Sequence, residues 1–398
     1  MSAKVGKDVF IVAAKRTAFG AFGGAIKNKS AVELGTVAAQ GALAQIGPNA
    51  AEIIDSVCFG NVSQTTADCA YLARHVGLKA GVPVEKPSLT VNRLCGSGFQ
   101  SIVTGVQEIC LGESEVVLTG GAESMSLAPH TANIRFGVPL GQNPPMVDSL
   151  WECLTDKHAK LPMAMTAENL AEKCDINKEA SDAWALRSQQ RWKAAQDAGI
   201  FKNEIVPMTI KGRKGEVVFD VDEHPRPETQ IEGLAKLKPL FKKDGCVSAG
   251  NASGISDGAG AVIVASGDAV SKHGLKPMAK IVSYSVAGVP PEIMGYGPVP
   301  SMRLALEKAG LTFDDMDLIE INEAFACQFL ACQKDLGFDV EKANLNGGAI
   351  AIGHPTGASG SRIMGHLAHE LQRTGKQYAI GSACIGGGQG IAIVLEKC

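Results

Sequence analysis

The first and last thirds of the sequence share one order of strand-like and helical runs. In the first third, residues 31–46 carry apolar residues at helical spacing and end at Gly47, and a strand-like run follows at residues 54–60. In the last third, residues 305–310 and 316–322 show the same order. This repeat predicts an α/β protein with two similar halves, each built on a parallel sheet, related by a pseudo-twofold axis.

Length and composition limit the classes of protein to which the chain can belong. A chain of 398 residues exceeds what one core usually serves, which predicts two or three domains. The net charge of −3 provides no basic excess for phosphates, which argues against nucleic-acid binding. No apolar run is long enough to cross a bilayer. The 11 cysteines include no Cys-x-x-Cys pair, so a reducing compartment and mostly structural thiols are expected.

Cys95 lies between a strand-like run and a helical run, in the sequence Cys95-Gly96-Ser97-Gly98. A thiol at such a turn lies in the field of the helix N-terminus, and that field and a nearby imidazole favour the nucleophilic thiolate. Gly96 and Gly98 allow backbone N–H groups to approach a reacting carbonyl and hold an oxyanion. The alternative interpretation is a tight helix-packing turn without chemistry.

Two further polar residues follow strand-like runs in the last third. Cys384 precedes a glycine-rich loop that cannot be a helix interior and does not fit a dinucleotide fingerprint. Asn322 comes directly after residues 318–321, and sites in parallel-sheet folds collect at the carboxyl ends of strands. The alternative role for Asn322 is the N-cap of the next helix.

Three histidines near the C-terminus receive different interpretations. His354 lies in a glycine-rich loop, where a core-filling role is less suitable. His366 and His369 are spaced i, i+3 on the following helical run, but no carboxylate or cysteine pattern completes a metal site. They are therefore interpreted as helix surface.

The middle third, residues 121–249, lacks the strand–helix alternation of the two ends. It contains an amphipathic helical run at residues 179–198, with Gly199 as a natural stop. A basic stretch follows, with Lys211, Arg213, Lys214, Arg226, Lys236, Lys238, Lys242 and Lys243. Each of these side chains alone is best interpreted as solvated surface, but the group suits a polyanionic small molecule such as a nucleotide phosphate.

Several ordered blocks of the sequence resemble the motifs of the thiolase family, and the resemblance covers nearly the whole chain. The blocks are Asn-Arg-Leu-Cys-Gly-Ser-Gly (92–98), Gly-Gly-Ala-Glu-Ser-Met-Ser (120–126), Thr-Ala-Glu-Asn (166–169), Gly-Asn-Ala-Ser-Gly (250–254), Asn-Glu-Ala-Phe (322–325), Gly-His-Pro (353–355) and Cys-Ile-Gly-Gly-Gly (384–388). The resemblance implies the thiolase fold, in which duplicated βαβαβ-type halves form a five-layered α/β/α/β/α core with an inserted loop domain. The implied N-terminal half comprises residues 1–120 and 250–270, the loop domain that covers CoA comprises 121–249, and the C-terminal half comprises 271–398.

The resemblance also implies a division of roles between the catalytic groups. Cys95 attacks the keto carbon of a 3-ketoacyl-CoA and becomes acylated, acetyl-CoA leaves as an enolate that Cys384 protonates, and free CoA then takes the acyl group. His354 activates Cys95 and forms one oxyanion hole with a water held by Asn322, while backbone N–H groups of Cys95 and Gly386 form the other. The implied activity is thiolytic cleavage in fatty-acid β-oxidation, reversible as a Claisen condensation to acetoacetyl-CoA.

A set of CoA contacts is implied as well. Arg226 is expected at the adenine and phosphate end, and Ser253 at the pantetheine arm. The expected lining of the tunnel is Met163, Phe241, Met294 and Phe325. CoA is expected as a co-substrate, with no permanently bound cofactor and no metal ion.

Two positions depart from the family pattern. Acetoacetyl-CoA-specific relatives have His-Met-Gly before the Thr-Ala-Glu-Asn block, whereas this chain has Pro162-Met163-Ala164-Met165, which favours the broad-range degradative branch. Thr356 follows Gly-His-Pro where the family usually has Leu or Ile, and this position is expected to affect packing behind His354.

Other functions are kept as alternatives. An acetoacetyl-CoA-specific acetyltransferase shares the motifs, and a decarboxylating ketoacyl synthase of the same fold would have histidine or asparagine in place of Cys384. A non-catalytic CoA- or lipid-binding relative is disfavoured because all four polar groups, Cys95, Asn322, His354 and Cys384, are retained.

The expected partners are 3-ketoacyl-CoA, acetyl-CoA and CoA, and the resemblance implies a homotetramer built as a dimer of dimers. Residues 1–7 leave no room for a cleaved presequence before the first strand-like run, and the C-terminal Glu-Lys-Cys is not the peroxisomal Ser-Lys-Leu address. These two features leave the cytoplasm or the mitochondrial matrix as expected compartments. The resemblance to family members that reside in the matrix with an uncleaved N-terminus implies the matrix, with the cytoplasm as the alternative.

Overall fold

The computed structural model describes residues 5–212 and 215–398, so Arg213 and Lys214 of the basic stretch and residues 1–4 of the N-terminal segment lie outside the described residues. The strands are, in chain order, β1 (Val9–Thr17), β2 (Gly20–Ala21), β3 (Ser56–Gly60), β4 (Ser88–Val91), β5 (Val116–Ser124), β6 (His130–Thr131), β7 (Val147–Asp148), β8 (Thr155–Asp156), β9 (Leu161–Pro162), β10 (Ile205–Val206), β11 (Met208–Gly212), β12 (Gly215–Phe219), β13 (Ser256–Ser266), β14 (Ala279–Gly288), β15 (Leu318–Ile321), β16 (Tyr378–Ile385) and β17 (Gln389–Lys397).

The α-helices are α1 (Ala31–Ile46), α2 (Leu72–Ala80), α3 (Ser97–Leu111), α4 (Ser149–Cys153), α5 (Met163–Cys174), α6 (Lys178–Asp197), α7 (Ile231–Ala235), α8 (Gly267–His273), α9 (Pro298–Ala309), α10 (Ala326–Leu336), α11 (Ala349–Ile352) and α12 (Ser359–Thr374). Short 3-10 helices cover Ala50–Ile53, Cys69–Tyr71, Met125–Leu127, Ile200–Asn203, Pro291–Tyr296 and Val340–Lys342. The predicted helix at residues 31–46 is confirmed, and a capping box of Ser30 and Glu33 explains its start.

The main sheet shows the duplication that the sequence predicts. Its order is β15-β16-β17-β14-β1-β13-β5-β3-β4, with β2 and β10 beside it. The order β3-β5-β13-β1 in one half corresponds to β15-β16-β17-β14 in the other. In both halves the first neighbouring pair is parallel and the next two pairs are antiparallel. A short antiparallel pairing of β1 with β14 joins the halves.

The prediction that each half is built on a parallel sheet is wrong, because each half of the main sheet contains both parallel and antiparallel strand pairs. Only a tight turn at residues 386–388 separates β16 from β17, and so short a connection permits only antiparallel pairing. In the other half the corresponding pair, β5 and β13, is joined by residues 125–255. Residues 125–255 are therefore inserted in the first half at the position that the tight turn 386–388 has in the second half. The predicted boundaries at 120/121 and 270/271 fall inside β5 and α8, while the three-part division itself stays a prediction.

Helices form three layers around the two halves of the sheet. α1 and α2 contact the first half, α9 contacts the second half, and α3 and α12 contact each other and strands of both halves. Three buried apolar clusters fill the spaces between these layers. This arrangement confirms the predicted five-layered fold. No helix of the described residues is long and apolar enough to span a membrane.

The central position of α12 overturns the interpretation of His366 and His369 as helix surface. His366 is buried, with Nδ1 2.7 Å from Glu204 Oε2 and Nε2 3.0 Å from Asn346 Nδ2. Burial lowers the pKa of His366, but the carboxylate of Glu204 outweighs it and raises that pKa above its ordinary value. His369 is partly buried and lies 2.9 Å from Ala14 O. Periodicity did not reveal this because α12 contacts other elements on nearly every side.

Candidate active site

Cys95 lies in a rigid turn between β4 and α3. Leu94 has φ +46°, a left-handed conformation that strains a residue with a side chain. The Asn92 side chain accepts a hydrogen bond from Leu94 N at 2.9 Å. The Ser97 hydroxyl accepts from Arg93 N at 2.9 Å and donates to Leu94 O at 2.7 Å. These bonds fix the thiol immediately before the first turn of α3, which begins at Ser97.

The surroundings of Cys95 keep its thiol protonated. Burial raises the pKa of Cys95 to about 11, Cys153 and Glu123 act in the same direction, and a hydrogen bond from Gly386 N–H opposes them. The prediction that the helix field and an imidazole favour the thiolate is therefore wrong in this structure, because desolvation of the charged form dominates. A base must remove the proton before Cys95 can attack.

Cys384 lies beside Cys95, so the structure brings the two predicted thiols together. Its side chain is fully buried on β16, in an apolar cluster with Met294 and Ala324. Burial, followed by the negative charge that Cys95 can carry, raises the pKa of Cys384 well above its ordinary value. The thiol is therefore neutral and able to donate a proton.

His354 is buried and is held as a neutral base. Its Nδ1 lies 2.6 Å from Ser359 Oγ, and that hydroxyl donates to Pro355 O at 3.1 Å. Because the hydroxyl has one proton to donate, Nδ1 carries the imidazole proton and Nε2 is the acceptor. Nε2 lies 3.3 Å from Asn322 Nδ2. Burial and the nearby charge of Arg362 lower the pKa of His354 to about 4.

Asn322 follows β15, as predicted, and is fully buried. Its backbone N donates to Ser382 O at 2.9 Å, which ties it to the strand that carries Cys384. α10 begins only at Ala326, with Phe325 as its N-cap, so the alternative role of Asn322 as an N-cap is wrong. Within the described residues its Oδ1 has no hydrogen-bond partner, which leaves an acceptor in the site.

An apolar cavity of about 190 Å³ leads to His354. Four of the predicted CoA contacts, Met163, Phe241, Ser253 and Phe325, line it. Met294 does not line this cavity and instead packs against Cys384 and Ala324.

Arg226 lines a neighbouring cavity of about 630 Å³, and Ala252 belongs to the walls of both cavities. The Arg226 guanidinium donates to His224 O at 2.6 Å and to Pro225 O at 3.0 Å, so local carbonyl groups orient it. The predicted contacts other than Met294 therefore line two cavities that share Ala252.

Several residues of the site were missed by the sequence analysis. Ser359 and Arg362 act on His354 from α12, and the position of α12 was not predictable. Trp151 lines the apolar cavity and stacks on Phe241 with ring centroids 6.4 Å apart. Glu123 could have been found from the sequence, because it lies in a strand-like run of small and apolar residues. Burial of a carboxylate there costs free energy unless hydrogen bonds compensate for it. No group of three or more potential metal ligands occurs among the described residues.

Comparisons with known proteins agree with this geometry. The sequence matches the profile "Thiolase, N-terminal domain" over residues 9–268 and "Thiolase, C-terminal domain" over residues 275–397. The chain is 60% identical to the human "3-ketoacyl-CoA thiolase, mitochondrial", over 98% of each chain. It is 45% identical to the "Acetyl-CoA acetyltransferase" of Rhizobium meliloti, over 98% of this chain and 99% of that protein. A crystal structure of human mitochondrial 3-ketoacyl-CoA thiolase in complex with CoA has a TM-score of 0.97 at 58% identity and covers 100% of both chains. The chain belongs to the thiolase family.

Proposed function

We propose that this protein catalyses thiolytic cleavage of 3-ketoacyl-CoA by CoA to acetyl-CoA and a shortened acyl-CoA, and the reverse Claisen condensation to acetoacetyl-CoA. The observation that carries the proposal is the placement of two neutral thiols side by side, Cys95 with Gly386 N–H on its sulfur and Cys384 next to it. Two thiols allow one to carry the acyl group while the other moves a proton. The higher identity to the thiolase of β-oxidation than to the acetyltransferase supports the degradative direction.

In the first half-reaction, the Cys95 thiol transfers its proton to His354 Nε2 and its sulfur attacks the keto carbon. The new oxyanion on the attacked carbon faces the backbone N–H groups of Cys95 and Gly386. The enolate oxygen of the departing acetyl-CoA is held by His354 together with a water on Asn322, whose buried Oδ1 is available as an acceptor. The C2–C3 bond then breaks and leaves an acyl thioester on Cys95. The enolate of acetyl-CoA takes a proton from Cys384.

In the second half-reaction, the thiol of free CoA gives its proton to the Cys384 thiolate and its sulfur attacks the thioester on Cys95. The Cys95 thiolate leaves and takes back the proton from His354, and the shortened acyl-CoA is released. The thioester oxygen faces the backbone N–H groups of Cys95 and Gly386, which form the second oxyanion hole. Donors that are fixed before the reaction stabilise the developing charge without reorganisation, which usually supplies the largest part of the rate enhancement.

CoA would lie along the path between the two cavities. Arg226 meets its adenine and phosphate end, and Ser253 contacts the pantetheine arm. Met163, Phe241 and Phe325 surround that arm, and Met294 supports the thiol end from behind Cys384. The path agrees with the likeness to a thiolase solved in complex with CoA.

The test of the activity is a spectrophotometric thiolysis assay with acetoacetyl-CoA and CoA, extended along a series to 3-ketohexadecanoyl-CoA. We expect cleavage across the series, because the cavity is lined mainly by apolar side chains, including Pro162 and Met163. Activity confined to acetoacetyl-CoA would instead establish an acetoacetyl-CoA-specific acetyltransferase. Tight CoA binding without turnover would establish a non-catalytic relative.

We infer that the protein forms a homotetramer, built from a dimer of dimers. The sheet ends at the edge strand β4, where Leu89 is 48% exposed and can pair with a second copy. Separately, the segment 134–146 exposes several large apolar side chains, including Phe136 and Leu140, which are almost completely accessible. An exposed apolar segment of this kind marks an interaction surface.

Replacement of both Phe136 and Leu140 by serine is expected to convert tetramers into dimers, because it removes apolar surface from only one of the two interfaces. Multi-angle light scattering measures the particle mass against the 41.4 kDa of one chain. Leu111→Ser, which changes an exposed leucine outside segment 134–146, is the control. A double variant that stays tetrameric would contradict the assignment of this segment.

We also propose the mitochondrial matrix as the compartment, with the cytoplasm as the alternative. The support is the 60% identity to proteins named as mitochondrial thiolases in human and mouse. Fluorescence microscopy of the tagged full chain in its own cells distinguishes the two compartments.

A further inference from the structure

A buried carboxylate connects the loop that carries His354 to the segment that supports Cys95. Glu123 is fully buried on β5 and accepts five hydrogen bonds. Its Oε1 accepts from Asn61 Nδ2 at 3.2 Å and Ser63 N at 3.0 Å. Its Oε2 accepts from Val62 N at 3.1 Å, Thr356 Oγ1 at 2.9 Å and Gly357 N at 2.9 Å.

One side of this network leads to the nucleophile. Val62 N is held by Glu123, and Val62 O accepts from Asn92 Nδ2 at 3.1 Å. The same Asn92 side chain accepts from Leu94 N, directly before Cys95. A shift of the Glu123 carboxylate therefore reaches the Cys95 turn through the backbone of Val62 and the side chain of Asn92.

The other side leads to the base. Thr356 and Gly357 lie two and three residues after His354, and both donate to Glu123 Oε2. The loop is seated directly on β5, because a Cβ atom at Gly121 would overlap Gly357 O. Glu123 therefore binds the His354 loop at Gly357, where the backbone of the loop is already in contact with the backbone of β5.

We propose that Glu123 and Thr356 are a pair of positioning residues that set the distance between the His354 imidazole and the Cys95 thiol. This inference rests on the proposed function, since it assigns that distance to the proton transfer that starts thiolysis. Thr356 contributes the hydroxyl of the pair, which the Leu or Ile expected at this position from the family pattern would lack. The hydroxyl supplies one of three donors to Oε2 and can also accept, so it can serve Glu123 in either protonation state.

The pair has a consequence for pH dependence. Burial raises the pKa of Glu123 to about 7, and the hydrogen bonds from Ser63, Thr356, Val62 and Gly357 oppose that rise. The titratable groups that face Glu123 are the thiols of Cys95 and Cys153, and His354 lies on the loop that it holds. The ionised network is present above this pKa and is lost as the pH falls through it. Loss of a donor raises the pKa of Glu123, so the acid limb of the activity profile moves to higher pH.

Thr356→Val removes the hydroxyl at nearly constant volume and is the test variant. We expect kcat for thiolysis to fall about 10-fold while KM for CoA changes by less than about two-fold, because one hydrogen bond that orients the site is lost. We also expect the acid limb to move to higher pH, and the alkylation of Cys95 by iodoacetamide, followed by peptide mass mapping, to slow by a similar factor. Thr356→Ser keeps the hydroxyl and is expected to restore all three readouts.

Glu123→Gln is the second variant, and its expected loss in kcat is about 100-fold because misplacement of the reacting groups is costly. If it does not fold, Thr356→Val still decides the question. A Thr356→Val protein whose kcat, acid limb and Cys95 alkylation all equal those of the wild type would refute the positioning pair. A wild type without thiolysis would refute the proposed function, whereas the alkylation rates would still test the pair.

Discussion

Replacement of Cys95 by alanine is expected to lower thiolysis by at least about 10⁴-fold and to abolish the acyl-enzyme, because no other group can replace a catalytic nucleophile. The neighbouring thiol cannot take over. Cys384 is fully buried and burial raises its pKa well above the ordinary value, so it supplies almost no thiolate. The measurement is a single turnover with radiolabelled acetoacetyl-CoA, followed by mass spectrometry of the acylated peptide.

Cys110→Ala is the matched control for this variant. Cys110 is a half-buried thiol near the C-terminal end of α3, the helix that Cys95 precedes. It makes no contact with the site described above, so its loss should leave turnover unchanged. Stoichiometric acylation of the Cys95→Ala protein would contradict the role of Cys95. Loss of activity in Cys110→Ala as well would show that the helix, rather than the nucleophile, had been disturbed.

The second large effect is expected from Cys384→Ser, which exchanges the proton donor for a hydroxyl of much higher pKa. Acylation of Cys95 from an acyl-CoA donor should persist, because His354 and the Gly386 N–H remain in place. Exchange of the α-protons of acetyl-CoA should fall by about 10²- to 10⁴-fold, the usual contribution of a positioned acid or base. Proton nuclear magnetic resonance in deuterated water measures that exchange directly.

The control for the second variant is Cys332→Ser on α10. Its thiol is as completely buried as that of Cys384 and donates to Gly295 O at 3.3 Å. Any general cost of placing a hydroxyl in the core therefore appears in both proteins. Rapid α-proton exchange in Cys384→Ser would count against Cys384 as the proton carrier.

Local sequence patterns predicted several elements of the fold and the polar residues of the site. Apolar spacing and the terminal Gly47 located α1, and the order of strand-like and helical runs revealed the duplicated halves. Cys95, Asn322 and Cys384 were placed at strand ends by the same patterns, and His354 was placed in a glycine-rich loop. These features were readable because they depend on neighbours within a few residues along the chain.

The protonation states of Cys95 and His354 could not be predicted from local sequence patterns. The sequence places Cys95 before a helix and so favours a thiolate, but burial of the thiol raises its pKa to about 11. His354 has a pKa lowered to about 4 by its burial and by Arg362 on α12. Both values depend on how much water the fold removes and on charges brought from distant parts of the chain.

By itself, the sequence determined the duplicated α/β order, the glycine-framed turns and the identity of four polar groups, because each of these features depends on residues that are close together in the sequence. Tertiary structure alone decided that the sheets are mixed, that His366 is a buried partner of Glu204, and that Met294 stays behind Cys384 instead of lining the cavity. It also decided that Glu123 joins the His354 loop to the support of the Cys95 turn. Hydrogen bonds and desolvation act through space, and residues far apart in sequence meet only after the layers have packed.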